Sequence, residues 1–147
     1  MPGDPLCLPP TLTPEFVAAL ARRAPEITTT STIFPYDFIT AVLDRAAAHF
    51  ASMANLVEIA PRGSGEHPDV VVVGDVHGHL TQLLAIIKQF GDPSAATRYL
   101  FLGDYVDRGD FSAEVVVFLC LYALTFPGHF VLLRGNHETR PMCASYG

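Results

Sequence analysis

"RYLFLGDYVDRG", residues Arg98–Gly109, changes character at Gly103. The run Tyr99–Leu102 is apolar throughout, too short for a helix and without a polar side, which reads as a strand buried on both faces. The loop after it sets Asp104, Asp107 and Arg108 between glycines, which let a backbone turn sharply and approach a ligand closely. Strands buried on both faces belong to parallel sheets, and ligands of open parallel α/β sheets gather at the carboxyl ends of the strands.

The same switch occurs twice more. "DVVVVG" (69–74) runs into "DVHGH" (75–79), and "HFVLLRG" (129–135) runs into "NHE" (136–138). Between these strands lie two helical patterns. "HLTQLLAIIKQFG" (79–91) stops at Gly91, and "FSAEVVVFLCLYALTFP" (111–127) takes Ser112 as its N-cap and Pro127 as its stop. The order β-α-β-α-β predicts right-handed crossovers, a parallel sheet and the α/β class.

Upstream, residues 1–14 hold five prolines and no periodic pattern, the composition of a flexible leader. "TPEFVAALARRA" predicts a short helix capped by Thr13 with Pro14 at its first position. After the break at "APEITTTSTIFP", a longer amphipathic helix is expected from Tyr36 to Met53. Its stripe is Phe38, Val42, Ala46 and Phe50, widened by Ile39 and Leu43. Leu56, Val57 and Ile59 lead out of it into a surface turn, "PRGSGEHP". The chain thus divides into a leader with a short helix, 1–35, and a folded domain, 36–147.

Composition limits the partners. Half of the 147 residues are hydrophobic and 16% are charged, a folding composition. A net charge of −6 with no Lys/Arg cluster predicts no nucleic-acid partner. The apolar run Val115–Leu124 is half the length of a membrane span, so no membrane partner is expected. The first residues lack the features of a signal peptide, and Pro2 excludes a myristoylation motif. Cys7, Cys120 and Cys143 lie far apart, which fits reduced thiols in the cytoplasm, the nucleus or both.

The three strand tips together carry Asp75, His77, Asp104 and Asn136, hard or borderline metal ligands directed into one crevice. Asp75 and His77 are two apart, so an extended segment turns both to the same side. A carboxylate with an imidazole suits iron, manganese or zinc, and Asp104 has two oxygens with which to bridge two cations. Asn136 adds a neutral oxygen. Two cations about 3.5–4 Å apart clamp a phosphoryl group and lower the pKa of a bridging water. Each of these residues alone would more often be a turn cap; their convergence is what points to metal. Arg108 offers a planar fork for phosphate oxygens, the alternative being a surface salt bridge. His137 can give a proton to a leaving alkoxide while Asp107 holds its tautomer. Arg134 fits a phosphate contact or a structural ion pair equally. Glu138 is expected to order its loop, and His79 to be a surface residue at a helix start. His49, His67 and His129 have no motif around them.

"GDVHG", "GDYVDRG" and "LRGNHE" in this order resemble the PPP family of metal-dependent serine/threonine protein phosphatases, in particular its calcineurin and protein phosphatase 5 branches. The likeness continues through "FSAEVVVFLCLYALTFPGHFVLLRGNHET" and covers roughly residues 36 to 147. It implies the N-terminal half of a calcineurin-like metallophosphoesterase sandwich, the second half being absent. It also implies two divalent or trivalent ions of the manganese, iron or zinc type. Asp75, His77 and Asp104 would hold the first, and Asp104 with Asn136 the second. Arg108 would bind phosphate, and His137 with Asp107 would form the general-acid dyad. The implied reaction is hydrolysis of phosphoserine and phosphothreonine in phosphoproteins by a metal-bridging hydroxide, with regulatory subunits as possible partners.

The family's second metal also takes histidines, and its phosphate site another arginine, from loops after "RGNHE"; none of these can be placed here. The second metal site is therefore expected to be incomplete and the chain, as a truncated form, inactive alone. Two other readings compete: a catalytically inert binding or decoy fragment, and another metallophosphoesterase such as a dinucleotide polyphosphate hydrolase. "GDYVDRG" followed by "FSAEV" favours the protein phosphatases over the latter.

Overall fold

The structure is a computed structural model that describes residues 6–59 and 70–146. The expected turn "PRGSGEHP", with His67, lies outside the described residues. In chain order the elements are helices α1 (Pro14–Arg23) and α2 (Tyr36–Ser52), strand β1 (Val70–Val73) and helix α3 (Leu80–Phe90). Strand β2 (Arg98–Phe101), helix α4 (Ser112–Thr125), strand β3 (Phe130–Leu132) and helix α5 (Arg140–Tyr146) complete the chain order.

The strands form a parallel sheet in the order β1-β2-β3. Val70 pairs with Arg98 through to Val73 with Phe101, and Tyr99 pairs with Phe130 through to Phe101 with Leu132. Two crossovers of one hand along a sheet laid down in chain order put α3 and α4 on the same face. The strand alternation agrees: Val71, Val73, Tyr99, Phe101 and Phe130 are buried in one core with Leu83, Ile87 and most of α4. Helix α4 is apolar on every side because it is covered on every side. It packs on β3 and α3, and on its outer side against α1 and α2. Phe34 stacks on Phe38 and meets Phe118 edge-on at 5.4 Å, joining α2 to α4.

The opposite sheet face carries Val72, Leu102 and Leu133, which are 58%, 47% and 47% exposed. Both faces of each strand bear apolar side chains, and among the described residues helices cover one of them.

Most boundaries reflect the local chemistry. The Thr13 hydroxyl accepts from the Phe16 N–H at 3.3 Å, and Pro14 opens α1. Gly91, at φ 88°, ends α3. In α2 the stripe Phe38, Val42 and Ala46 is buried, whereas Leu43 is 41% exposed, so the apolar face is narrower than the periodicity predicts. Ser112 is not the N-cap of α4. Phe111 holds that position, and the Ser112 hydroxyl instead accepts from the Asp107 N–H at 3.0 Å, satisfying a loop donor. The core also begins upstream of residue 36. Val17 and Leu20 of α1 are buried in it and Leu6, Leu8 and Leu12 pack against it. Arg45 donates to the Pro9 carbonyl at 2.9 Å, tying that part of the Pro-rich segment to α2.

Candidate metal centre and active site

Each strand ends in a loop, and backbone hydrogen bonds join the loops before any side chain takes part. The Val76 and His77 N–H groups both donate to the Asp104 carbonyl, at 3.0 and 2.9 Å. Gly78 N–H donates to Tyr105 O at 2.8 Å, and Gly109 N–H to His77 O at 2.9 Å. Such close approach needs glycine: a Cβ on Gly109 would strike the His77 carbonyl, and one on Gly135 would strike Asp104. Four non-glycine residues sit at positive φ here, His77 at 43°, Asp104 at 55°, Asp107 at 70° and Arg108 at 69°. This conformation is costly for residues with a Cβ and tends to mark functional loops.

His77 is 6% exposed. Its Nδ1 lies 2.8 Å from the Val106 carbonyl, so Nδ1 carries the proton and Nε2 keeps its lone pair. That Nε2 is buried with no hydrogen-bond partner, and an Asp75 oxygen lies 3.6 Å away. A buried imidazole whose far nitrogen is fixed to a carbonyl, and whose near nitrogen is unpaired beside carboxylates, is the usual environment of a metal-ligating histidine. The residues thus fit a metal ion. Ligand atoms of His77, Asp104 and His137 all lie within 4.8 Å of one another.

His137 is 3% exposed, and its ring meets that of His77 edge-on with centroids 4.7 Å apart. Its Nδ1 is 2.7 Å from an Asp107 oxygen. This bond fixes the tautomer, with a proton on Nδ1 facing the carboxylate. The His137 N–H donates to Asp104 Oδ1 at 3.0 Å, so the third loop is held by the carboxylate of the second. Tyr146 of α5 packs on the His137 ring at 5.2 Å.

Of the residues singled out from the sequence, His77, Asp104, His137 and Asp107 are drawn together, with Asp75 beside them. The geometry around Asp75 differs from the expected extended segment. His77 is left-handed, and the two side chains approach through a turn rather than through strand alternation. Arg108 and Asn136 are exposed, and neither side chain bonds to another described residue. His79 precedes α3 and is exposed, and Arg134 is exposed. Glu138 does order the loops. Its carboxylate accepts from Asp104 N at 2.8 Å, Tyr105 N at 2.7 Å, Gly135 N at 3.0 Å and Val106 N at 3.3 Å. Sequence reasoning missed Tyr105, whose hydroxyl donates to the Leu133 carbonyl, and the Val106 carbonyl that orients His77. A backbone carbonyl leaves no mark on composition. The position of Tyr105 between the two motif aspartates was the one available signal.

The profile of the calcineurin-like phosphoesterase family matches residues 68–146, more than half of the chain. The chain belongs to this family. Within the calcineurin-like phosphoesterases its relatives are serine/threonine protein phosphatases, as the motifs led one to expect. It is 51% identical over 78 residues to the serine/threonine-protein phosphatase PP2A-like PPG1 of Saccharomyces cerevisiae, covering 53% of this chain and 21% of that protein. Human serine/threonine-protein phosphatase 5 is 44% identical over 97 residues, 66% of this chain and 19% of that one. A solved protein serine/threonine phosphatase from Saccharomyces cerevisiae, described as similar to human phosphatase PP5, superposes with a TM-score of 0.76 at 30% identity. That superposition covers 92% of this phosphoesterase chain and 42% of the other. The chain therefore spans about a fifth of the length of these two curated relatives.

Proposed function

We propose that the chain carries the metal and proton-transfer residues of a serine/threonine protein phosphatase, acting on phosphoserine and phosphothreonine in phosphoproteins. The observation that carries this reading is the convergence of three strand-tip loops on His77, Asp104 and His137, with the buried Nε2 of His77 left unpaired. Asp75, His77 and Asp104 are the donors proposed for one ion, and Asp104 with Asn136 for a second. Bound there, such ions supply Lewis acidity to the phosphoryl oxygens and lower the pKa of water.

The chain's own residues do the rest. Arg108 takes two phosphate oxygens in its planar fork and sets the phosphorus in line with water. His137, held through Nδ1 by Asp107, gives the proton on Nε2 to the departing serine or threonine oxygen as the phosphorus–oxygen bond breaks. The net change is one water consumed, one hydroxyl side chain freed and one inorganic phosphate released. A protein substrate is favoured over a dinucleotide by the names of the relatives. The cytoplasm or nucleus is the proposed setting, in keeping with three free cysteines. No helix among the described residues is long and apolar enough to cross a membrane.

Phosphate release from a phosphothreonine peptide tests the reading. With Asp104 and Asn136 as the donors proposed for the second ion among the described residues, turnover is expected to be slow. Release should require Mn²⁺ and fall by at least about 100-fold in His137→Ala. Release that ignores Mn²⁺ and is unchanged in the variant contradicts the proposal.

A further inference from the structure

We infer that Glu138 is a positioning residue for the metal centre: its carboxylate sets the backbone of the loop that presents Asp104. This rests on the metal-site reading above and adds to it a residue that binds neither ion nor phosphate. Asp104, Tyr105 and Val106 are consecutive, and their N–H groups converge on the same two oxygens. Consecutive N–H groups pointing one way form an anion-binding concavity. Here a side chain of the chain itself fills it. One oxygen, Oε2, takes Asp104 N at 2.8 Å and Gly135 N at 3.0 Å; the other, Oε1, takes Tyr105 N at 2.7 Å and Val106 N at 3.3 Å.

The positions of those donors give the carboxylate its reach. Gly135 belongs to the third loop and Asp104 to the second, so Oε2 fastens one loop to the other. Asp104 sits at φ 55°, a conformation that its own Cβ disfavours, and the bond to its N–H helps to hold it there. In that conformation its Oδ1 accepts from His137 N at 3.0 Å while its carbonyl takes the N–H groups of Val76 and His77. Asp104 is therefore the hinge of all three loops, and Glu138 fixes its backbone. Val106, at the far end of the concavity, uses its carbonyl to orient His77 Nδ1. A single carboxylate thus bears on both an oxygen ligand and a nitrogen ligand. Only a charged acceptor of this length serves four donors: glutamine would turn an NH₂ toward N–H groups, and aspartate is one methylene short.

The test compares Mn²⁺ affinity, by calorimetric titration of the full chain, in wild type, Glu138→Gln, Glu138→Asp and Tyr105→Phe. Glu138→Gln should weaken Mn²⁺ binding by about 10- to 100-fold, the usual effect of losing a group that orients metal ligands. Glu138→Asp, which restores the charge, should recover part of the loss. Tyr105→Phe removes the bond to Leu133 and leaves the concavity intact. It should lower the melting temperature and change affinity less than threefold. Equal affinity in Glu138→Gln and wild type overturns the inference, as does an equal loss in Tyr105→Phe. If Glu138→Gln does not fold, amide exchange of metal-free wild type decides: Asp104, Tyr105 and Gly135 should be protected together, and fast exchange at these three overturns the role. Absence of any Mn²⁺ binding by wild type would instead remove the metal-site reading itself, with the exchange result still reporting on the concavity.

Discussion

Gly103 and Gly135 meet back to back where the second and third loops leave the sheet. Gly103 has φ 110°, and a Cβ added to it would collide with the backbone of Gly135. Both the left-handed conformation and the missing side chain are needed, and only glycine offers both. Gly103→Ala is expected to cost roughly 1–3 kcal/mol through backbone strain and to displace Asp104. Chemical denaturation measures the first effect; an unfolding free energy within a few tenths of wild type would refute the packing argument. At this scale the sequence was informative wherever a residue type is uncommon in its setting. Asp75, His77, Asp104, Asp107 and His137 stood out because charged and imidazole groups directly after buried strands need a reason. What it could not show was backbone shape. The four positive φ values fall on His, Asp and Arg, which do not advertise left-handedness as glycine does.

Helix α4 is the element on which the others are assembled. Val115, Val117, Phe118, Leu119, Leu121, Tyr122 and Ala123 are all buried, spread around its full circumference. Tyr122 stacks on Phe130 of β3 at 5.3 Å, and Phe118 faces α2 through Phe34. Phe118→Ala would leave a cavity between these layers and should cost about 3–5 kcal/mol, a large part of the roughly 5–15 kcal/mol that holds a domain folded. A loss below about 1 kcal/mol in a denaturant titration would mean that this contact carries little of the core. The all-round apolar run made α4 readable as a buried helix. Its start was less readable, since serine before a helix normally caps it, and here a tertiary demand from Asp107 takes the hydroxyl. Helix α5 carried no sequence signal. "RPMCASY" is short, and what holds it is local: Cys143 N–H on Thr139 O at 2.9 Å, and Tyr146 against His137.

Across the whole molecule the sheet is two-faced in composition and, among the described residues, one-faced in its helical cover. The α/β class and the parallel pairing were legible from the β-α-β-α-β spacing, whereas the strand order β1-β2-β3 and the one-sided helical cover were not read from it. The packing of α1 and of residues 6–12 on the core was not legible either, because that segment's prolines mask its leucines. The core also carries a pH signature. Burial, reinforced by the charge of Asp92, pushes the hydroxyls of Tyr99 and Tyr122 up to about 12. Above pH about 10, where an exposed tyrosine ionises, the unfolded chain binds fewer protons than the folded one, so stability falls as pH rises. This contribution is complete below pH about 10 and is lost as the pH climbs to about 12. Denaturant midpoints at rising pH should decline across that window, and a flat profile would mean that these hydroxyls titrate as if exposed. The metal centre, on which the proposed chemistry depends, can be seen directly by anomalous diffraction at the manganese edge from Mn²⁺-soaked crystals. The expected result is an anomalous peak within direct ligand distance, a little over about 2 Å, of His77 Nε2 and of a carboxylate oxygen. A crystal that takes up Mn²⁺ elsewhere while His77 Nε2 stays unligated would contradict it.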